Sequence, residues 1–305
     1  MRVFLLLILA INLVFSSELF RTIETNSNVT SMDIHEGHLY ISTDGGEIQV
    51  VNLENFENEK FISLPDTTCY FGVQKAKVFN TDELNSKILI LANGDLGKKM
   101  LHVYKDGNLE SIELKNESIK KAKFLDEKTI VLASLSNEIY FYSLDEKKIT
   151  SSYKFSTSAL SDFEILGDNI IVSCEGGLVF IYSIKENKIT KTISVHKDNI
   201  YDIAVANDGT IISGSTDRKA GIYKDDKLNL VEAKFLVYAV GIDESGKRAA
   251  FMADEQSKVI VIDTASLNKV AEIETNQGII NGIIFYSDLI MTSAYEKNIK
   301  IWRVK

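Results

Sequence analysis

Few residues in this 305-residue chain have the types and spacing that catalysis or metal binding requires. Its four histidines are scattered, and the closest two, His35 and His38, lie in a segment that reads as a turn between two strands. The two cysteines, Cys69 and Cys174, have no zinc-site spacing. The chain contains no Gly-x-Gly-x-x-Gly, phosphate-binding loop, haem-attachment pair or Gly-x-Ser-x-Gly elbow. We therefore predict that the protein is not an enzyme and holds neither a metal nor a cofactor.

The elements that would position any functional residue belong to a repeat. An apolar, β-branched run returns about every 40 residues, usually after a turn rich in Gly, Asp, Asn, Ser and Lys. The seven runs lie at residues 48–52, 101–104, 139–143, 178–183, 221–224, 259–263 and 299–303. A repeat of this length with several strands per copy is typical of a β-propeller. We predict an all-β, seven-bladed β-propeller, forming one domain over residues 17–305.

The repeats also bound the blades. Blades 1 to 7 are predicted over residues 28–66, 67–117, 118–158, 159–198, 199–236, 237–277 and 278–305. Blade 7 lacks an outer strand, which would leave an unpaired edge. Residues 18–24 resemble residues 188–194, the predicted outer strand of blade 4, so we expect the N-terminal strand to pair with the C-terminal blade and close the ring. Blade 2 is expected to carry an insertion around residues 80–87 and a loose turn at 93–99.

The first inner-strand position of each blade is predicted to surround the mouth of the central channel. These positions are Thr30, Phe71, Lys120, Ser161, Tyr201, Tyr238 and Asn281. General acid–base catalysis needs titratable groups within hydrogen-bond reach of each other, and this ring has no such pair. Asp162 and Asp202, next to the ring, could bind a cation, although a solvated role is the simpler expectation.

Aromatic side chains in and beside this ring are candidate anchors for a partner protein. The predicted partner surface consists of Tyr70, Phe71, Tyr201 and Tyr238. The alternative is that these rings pack between blades. The repeat register places Cys69 at the end of an outer strand and Cys174 in a second strand three blades away. A disulfide needs Cα atoms within roughly 7 Å, so we expect two buried, unpaired thiols.

Blade 5 carries a set of polar residues at characteristic places. His196 precedes the inner strand, Ser213 lies in the second strand, Asp217 in the tight turn and Tyr223 in the third strand. This arrangement resembles the WD40 repeat, in which residues of these types share a hydrogen-bonded network. The resemblance implies a structural role, because buried polar groups left unpaired cost about 1–3 kcal/mol each. The other blades retain only the aromatic residue: Tyr104, Tyr142, Tyr182 and Trp302.

Residues 1–16 differ from the rest of the chain. Arg2, an apolar run over residues 3–15, and the small residues Ser16 and Ser17 are the three parts of a secretory signal peptide. A membrane anchor needs about 20 apolar residues, and this run is shorter. We predict cleavage after Ser16 or, less favoured, Ser17, and a periplasmic location; an uncleaved N-terminal anchor is the alternative. The net charge is −9, and the lysines are interleaved with acidic residues, which argues against nucleic-acid binding.

An exported, acidic, Lys-rich and Arg-poor propeller of this length resembles the NapL family, the propeller accessory proteins of bacterial periplasmic nitrate reductase systems. The resemblance rests on the signal sequence, the length and the repeat layout. It implies a non-enzymatic, monomeric scaffold that binds a redox enzyme for maturation or electron supply. Two alternatives stay open: an envelope-assembly scaffold for outer-membrane proteins, and a lactonase-like or quinone-dependent propeller enzyme with a metal or cofactor on channel carboxylates. Fold alone does not choose among them.

Overall fold

The computed structural model describes residues 15–304, so the predicted signal peptide lies almost wholly outside the described residues. The chain begins with β1 (Phe15–Glu24). Blade 1 consists of β2 (Val29–His35), β3 (His38–Thr43), β4 (Glu47–Asn52) and β5 (Asn58–Ser63). A hairpin of β6 (Thr67–Cys69) and β7 (Gly72–Gln74) follows. Blade 2 consists of β8 (Val78–Leu84), β9 (Lys87–Asn93), β10 (Lys99–Lys105) and β11 (Asn108–Leu114), with a short 3-10 helix at Asp95–Gly97.

The next three blades have the same plan of four antiparallel strands. Blade 3 consists of β12 (Ile119–Phe124), β13 (Thr129–Ser134), β14 (Glu138–Ser143) and β15 (Lys148–Lys154). Blade 4 consists of β16 (Leu160–Leu166), β17 (Asn169–Cys174), β18 (Leu178–Ser183) and β19 (Lys188–Ser194). Blade 5 consists of β20 (Ile200–Val205), β21 (Ile211–Ser215), β22 (Lys219–Lys224) and β23 (Lys227–Glu232).

The last two blades complete a seven-bladed β-propeller, as predicted. Blade 6 consists of β24 (Val240–Ile242), β25 (Arg248–Met252), β26 (Val259–Asp263) and β27 (Lys269–Ile273). Blade 7 takes β28 (Ile280–Tyr286), β29 (Leu289–Ala294) and β30 (Asn298–Val304) from the C-terminal end. No helix among the described residues is long and apolar enough to cross a membrane.

The N-terminal strand closes the ring, which confirms the predicted pairing. β1 lies antiparallel to β30 from Ser17, opposite Val304, to Glu24, opposite Asn298. It therefore supplies the fourth strand of blade 7 and covers an edge that would otherwise be unpaired. The first two residues of β1 pair in parallel with β27 of blade 6. One strand thus joins the two blades on either side of the last gap in the ring.

Apolar side chains pack between successive blades and form the core. Leu89 and Leu91 of blade 2, for example, are fully buried against Ile119 and Ile130 of blade 3. Each such side chain removed from water contributes about 1.5–3 kcal/mol. Because a blade buries its faces only against its neighbours, the core of the described chain consists of seven clusters, one at each junction between blades.

β-Bulges aim one residue of each inner strand at the channel mouth. In six inner strands the pairing with the second strand skips one residue, and an unpaired bulge residue is turned out of the ladder. The skipped residues are Thr30, Phe79, Lys120, Ser161, Tyr201 and Asn281. Tyr238 occupies the equivalent place just before β24. All seven line the central channel.

The predicted blade 2 needs a correction. The extra residues precede its inner strand, as the β6–β7 hairpin, and residues 80–87 contain the inner strand and an ordinary turn. Phe71 is therefore not a ring residue; Phe79 holds that place. Cys69 lies in the hairpin, half-buried, and not in an outer strand, while Cys174 is buried in β17 as expected. The two thiols are unpaired.

Antiparallel strand order divides the propeller into two faces. The channel-mouth residues, the outer-to-inner connections and the turns between second and third strands lie on one face, here called the mouth face. Turns between first and second strands and between third and fourth strands lie on the opposite face. The β6–β7 hairpin and the 3-10 helix of blade 2 both belong to the mouth face and contact each other: the backbone N–H of Thr68 donates to Asp95 Oδ1 at 2.6 Å.

Candidate functional site

The tip of the β6–β7 hairpin carries two aromatic side chains that contact little else. Cys69 pairs with Gly72, so Tyr70 and Phe71 form a two-residue turn. Gly72 has a φ of +122°, a conformation that suits glycine and completes this turn. Tyr70 is 95% exposed and Phe71 99% exposed. Such turn positions usually hold Asn, Asp or Gly, so two bare aromatic rings here have no stabilising role in the fold.

Other exposed apolar side chains share the mouth face with this hairpin. Twelve large apolar residues of the described chain are exposed, and five of them lie on outer strands at the rim. The remaining seven, Tyr70, Phe71, Val73, Leu96, Leu135, Ile279 and Tyr295, all lie in connections of the mouth face. They follow an arc from blade 7 through blades 1 and 2 to blade 3. Apolar surface concentrated on one face in this way is typical of a protein-binding surface.

The two remaining members of the predicted partner surface lie apart from the hairpin, at the channel mouth. Tyr201 and Tyr238 are half-buried and stack on each other, with ring centroids 4.5 Å apart and planes at 28°. Burial and the neighbouring Tyr238 raise the pKa of the Tyr201 hydroxyl. The structure therefore divides the predicted surface into an exposed part, Tyr70 and Phe71, and a channel-mouth part, Tyr201 and Tyr238.

Below the mouth, the inner strands of blades 3 and 4 carry a chain of ion pairs. Lys121 Nζ lies 2.7 Å from Asp162 Oδ1 and 2.8 Å from Glu164 Oε1. Lys123 Nζ lies 2.6 Å from Glu164 Oε2 and 3.8 Å from Asp33 Oδ2 of blade 1. Burial disfavours the charged form of Lys121, but the negative charges of Asp162 and Glu164 outweigh this effect and raise the pKa of Lys121. Burial likewise disfavours the charged Glu164, yet the two lysines lower its pKa.

The ion-pair chain continues to a histidine between two carboxylates. His35 Nε2 lies 3.1 Å from Asp82 Oδ1 and 3.4 Å from Asp33 Oδ2. Burial alone would lower the pKa of His35, but the two carboxylates raise it to about 10. Metal-ligating atoms of these three residues lie within 4.8 Å of one another. They could ligate a divalent cation only after His35 gives up its proton, and the protonated ring lies at ion-pair distance from both carboxylates without a well-aligned hydrogen bond to either.

The two carboxyl groups considered for cation binding have other partners. Asp162 pairs with Lys121, and Asp202 Oδ2 accepts the backbone N–H of Val240 at 2.9 Å. Burial and the nearby Asp162 raise the pKa of Asp202 well above its usual value. A protonated carboxyl is a poor cation ligand. Both carboxyl groups therefore already have partners among the described residues.

The blade 5 network forms with three of its four predicted members. His196 Nε2 lies 2.8 Å from Ser213 Oγ, and Nδ1 lies 3.1 Å from both oxygens of Asp217. Burial lowers the pKa of His196 despite Asp217, so the ring is neutral: Nδ1–H donates to Asp217 and Nε2 accepts from Ser213. Tyr223 lies outside the network, because its hydroxyl donates to Asp226 at 2.7 Å.

Sequence reasoning missed two groups of residues. In blade 7, Trp302 Nε1 donates to Thr292 Oγ1 at 2.9 Å, and that hydroxyl donates to Gln277 Oε1 at 2.6 Å. This network repeats the one in blade 5 with Gln and Thr in place of His and Ser. The second group is the channel ion-pair chain. The channel charges lie one and three residues after the ring position of the inner strand. Reading the sequence there would have shown Lys121 and Lys123 in blade 3, and Asp162 and Glu164 in blade 4.

The comparisons with known proteins agree with this geometry. The family described as WD domain, G-beta repeat (WD40) matches residues 187–224. That stretch runs from β19 of blade 4 through β22 of blade 5 and includes His196, Ser213 and Asp217. No curated protein matches the sequence.

Solved structures match over nearly the whole chain. The β-propeller domain of Cps50 (Swd1) from Myceliophteria thermophila has a TM-score of 0.77, covering 95% of this chain and 100% of that chain, at 12% identity. A chain of a Mitotic Checkpoint Complex has a TM-score of 0.78, covering 94% and 96% of the two chains, also at 12% identity. The class is therefore a seven-bladed β-propeller. Within this propeller, residues 187–224 of blades 4 and 5 match the WD40 repeat.

Proposed function

We propose that this protein is an exported, non-enzymatic propeller scaffold that binds another protein through its mouth face. The observation that carries the proposal is the hairpin tip, where Tyr70 and Phe71 are almost fully exposed at the end of a two-stranded hairpin. Aromatic residues presented in this way are the usual anchors of protein interfaces. The hairpin is also the feature that distinguishes blade 2 from the other six blades.

The charges on this face indicate an acidic partner surface. Lys77 and Lys99 lie over the ring of Phe79, at 5.9 Å and 3.3 Å from its centroid. Neither ammonium has a carboxylate oxygen within 4.0 Å in the described chain. Burial and repulsion by Lys77 lower the pKa of Lys99 to about 8. An approaching carboxylate would relieve that repulsion, so we expect a partner that offers apolar and acidic side chains together.

The finer proposal is that the partner is a periplasmic redox enzyme of the nitrate reductase system. It is supported by the predicted signal peptide, the repeat layout and the resemblance described above. In this proposal the propeller assists maturation or electron supply of the enzyme and performs no reaction itself. The observation that fits an accessory role is that all seven exposed large apolar side chains outside the outer strands of the described chain lie on the mouth face.

Site-specific photo-crosslinking in the native host tests both the assignment of the mouth face as the interface and the identity of the partner. A photoreactive phenylalanine analogue replaces Phe71 in the full chain, and covalently captured proteins are identified by mass spectrometry. The matched control replaces Phe61, an aromatic residue that is 54% exposed on β5 at the rim, away from the mouth face. We expect capture from position 71 and not from position 61.

The identity of the captured protein decides between the candidate functions. Subunits of a nitrate reductase or its electron-transfer proteins would support the finer proposal. Outer-membrane proteins or their assembly factors would replace it with the envelope-assembly alternative. Equal capture from positions 61 and 71 would overturn the assignment of the mouth face as the interface.

A further inference from the structure

The channel mouth contains a lysine whose charge no carboxylate neutralises at contact distance. Lys120, the ring residue of blade 3, donates from Nζ to the backbone oxygen of Ser161. Among residues 15–304 it has no carboxylate oxygen within 4.0 Å, whereas Lys121 and Lys123, next along the same strand, each have two. Lys120 is exposed at the channel mouth, although the partial burial that the channel gives its ammonium lowers the pKa of Lys120. An accessible ammonium without a carboxylate at contact distance can pair with an anion that enters the mouth.

Two residues of the channel lining have hydroxyl groups without hydrogen-bond partners. Ser161 Oγ and Thr30 Oγ1 are buried and make no hydrogen bond within the described chain. Both residues are ring members that line the same channel as Lys120. Buried hydroxyls without partners are uncommon, since each costs about 1–3 kcal/mol. Ser161 Oγ is free to bond a ligand next to Lys120, whose ammonium donates to the backbone oxygen of the same serine, whereas Thr30 lies on blade 1.

The rest of the lining is mixed, and polar or acidic residues such as Asn80, Asp33 and Glu244 lie among apolar ones. The stacked Tyr201 and Tyr238 form one wall. On the inner strands of blades 6 and 7 the lining continues with Val240, Ile242 and Ile283. The cavity is open to solvent and has a volume of about 500 Å³, which holds a small organic molecule or one or two side chains. Lys120 and Ser161 of blades 3 and 4 therefore share one open cavity with the Tyr201–Tyr238 stack.

We propose that the channel mouth binds a carboxylate carried on an apolar or aromatic body, with Lys120 and Ser161 contacting the carboxylate and the Tyr201–Tyr238 stack contacting the body. The carboxylate belongs either to a free organic acid or to an acidic residue of the docked partner. In the second case the inference rests on the proposed function. A monoanion fits better than a dianion such as phosphate, because Asp162 and Asp202 lie close enough to act on the charge of Lys120.

Phenylacetate and its uncharged amide, phenylacetamide, are suitable probes, and saturation-transfer NMR detects their weak binding to the full-length mature protein. We expect phenylacetate to bind at least ten times more tightly than the amide. Lys120→Met removes this preference, while Lys120→Arg keeps it and shows that the ring is still folded. The control Lys234→Met, which removes an exposed lysine of the mouth face outside the channel, leaves the preference unchanged.

A second pair of probes distinguishes the source of the carboxylate. A short peptide ending in Phe with a free carboxylate is compared with the same peptide amidated. Selective binding of the free-acid peptide supports a partner chain as the source, and binding of phenylacetate alone supports a small acid. Equal binding of phenylacetate and its amide, unchanged preference in Lys120→Met, or equally tight binding of inorganic phosphate would overturn the proposal. Crosslinking from position 71 does not involve Lys120, so either proposal can fail while the other stands.

Discussion

Removing Lys123 from the channel should destabilise the propeller far more than removing a lysine with the same ion-pair geometry at the surface. Lys123 Nζ contacts Glu164 at 2.6 Å and Asp33 at 3.8 Å, and only 14% of its side chain is exposed. Lys128 Nζ contacts Asp145 at 2.8 Å, but 73% of its side chain is exposed. The pair of variants Lys123→Met and Lys128→Met therefore differs in burial while the contact distance stays similar.

The magnitude follows from what remains after the change. Lys123→Met keeps the apolar stem but leaves Glu164 and Asp33 with one cation fewer in a low-dielectric site. Breaking a buried ion pair in this way costs about 3–5 kcal/mol. At about 2 °C per kcal/mol for a large domain, the melting temperature should fall by roughly 6–10 °C. For Lys128→Met we expect no measurable change, because water and salt already screen that pair.

Urea denaturation followed by circular dichroism measures both variants without changing the ionic strength. Raising the salt to 1 M shortens the Debye length to about 3 Å and should not abolish the effect of Lys123→Met. The double variant Lys123→Met/Glu164→Gln should recover part of the loss, since it removes one of the two carboxylates that lose Lys123 and leaves Lys121 paired with Asp162. Equal urea midpoints for Lys123→Met and Lys128→Met would refute the argument that burial gives this ion pair its importance.

Two further predictions concern the other buried polar groups. Ser213→Ala leaves His196 Nε2 buried without a partner and should lower the free energy of unfolding by about 1–3 kcal/mol in urea denaturation; a neutral result would mean that the network adds nothing to stability. Burial lowers the pKa of His102 from 6.5 to about 4. As the pH falls from 6.5, the unfolded chain takes up this proton before the folded one, so the stability contributed by neutral His102 is present above pH 6.5 and is lost toward about pH 4. His102→Gln should flatten the pH dependence of stability in that window, and an unchanged slope would contradict the assignment.

The sequence predicted those parts of the fold that depend on local pattern and period. Seven blades, the ring closure by β1 and six of the seven channel-mouth residues followed from the repeat alone. Phe71 was misplaced because residues 67–74 pair as a hairpin, and a free hairpin has the same strand–turn–strand pattern as the start of a blade. Local β-propensity does not distinguish the two; only packing between blades does.

The channel charges were harder to predict because each pair joins different blades. Lys121 and Asp162 are 41 residues apart, as are Lys123 and Glu164, which is one repeat. These two pairs could have been found from the alignment of inner strands. His35 and Asp82 do not follow that spacing, since the hairpin inserted before blade 2 shifts the register. Their contact depends on the closed ring and is not visible in the sequence.

Stability alone does not explain why ion pairs lie in the channel and why exposed aromatic rings lie on the mouth face. Replacing a whole buried ion pair by apolar side chains often leaves the stability of a protein unchanged. Exposed aromatic rings at a turn bury little surface and therefore contribute little to folding. In the described chain the unusual residues lie in the channel and on the mouth face, whereas no large apolar side chain is exposed in the turns of the opposite face. Exposed apolar residues that add little to folding, gathered on one face, imply that this face contacts something else. The hairpin tip can contact a partner from outside, and Lys120 can contact a carboxylate that enters the channel, so a single docked partner could use both.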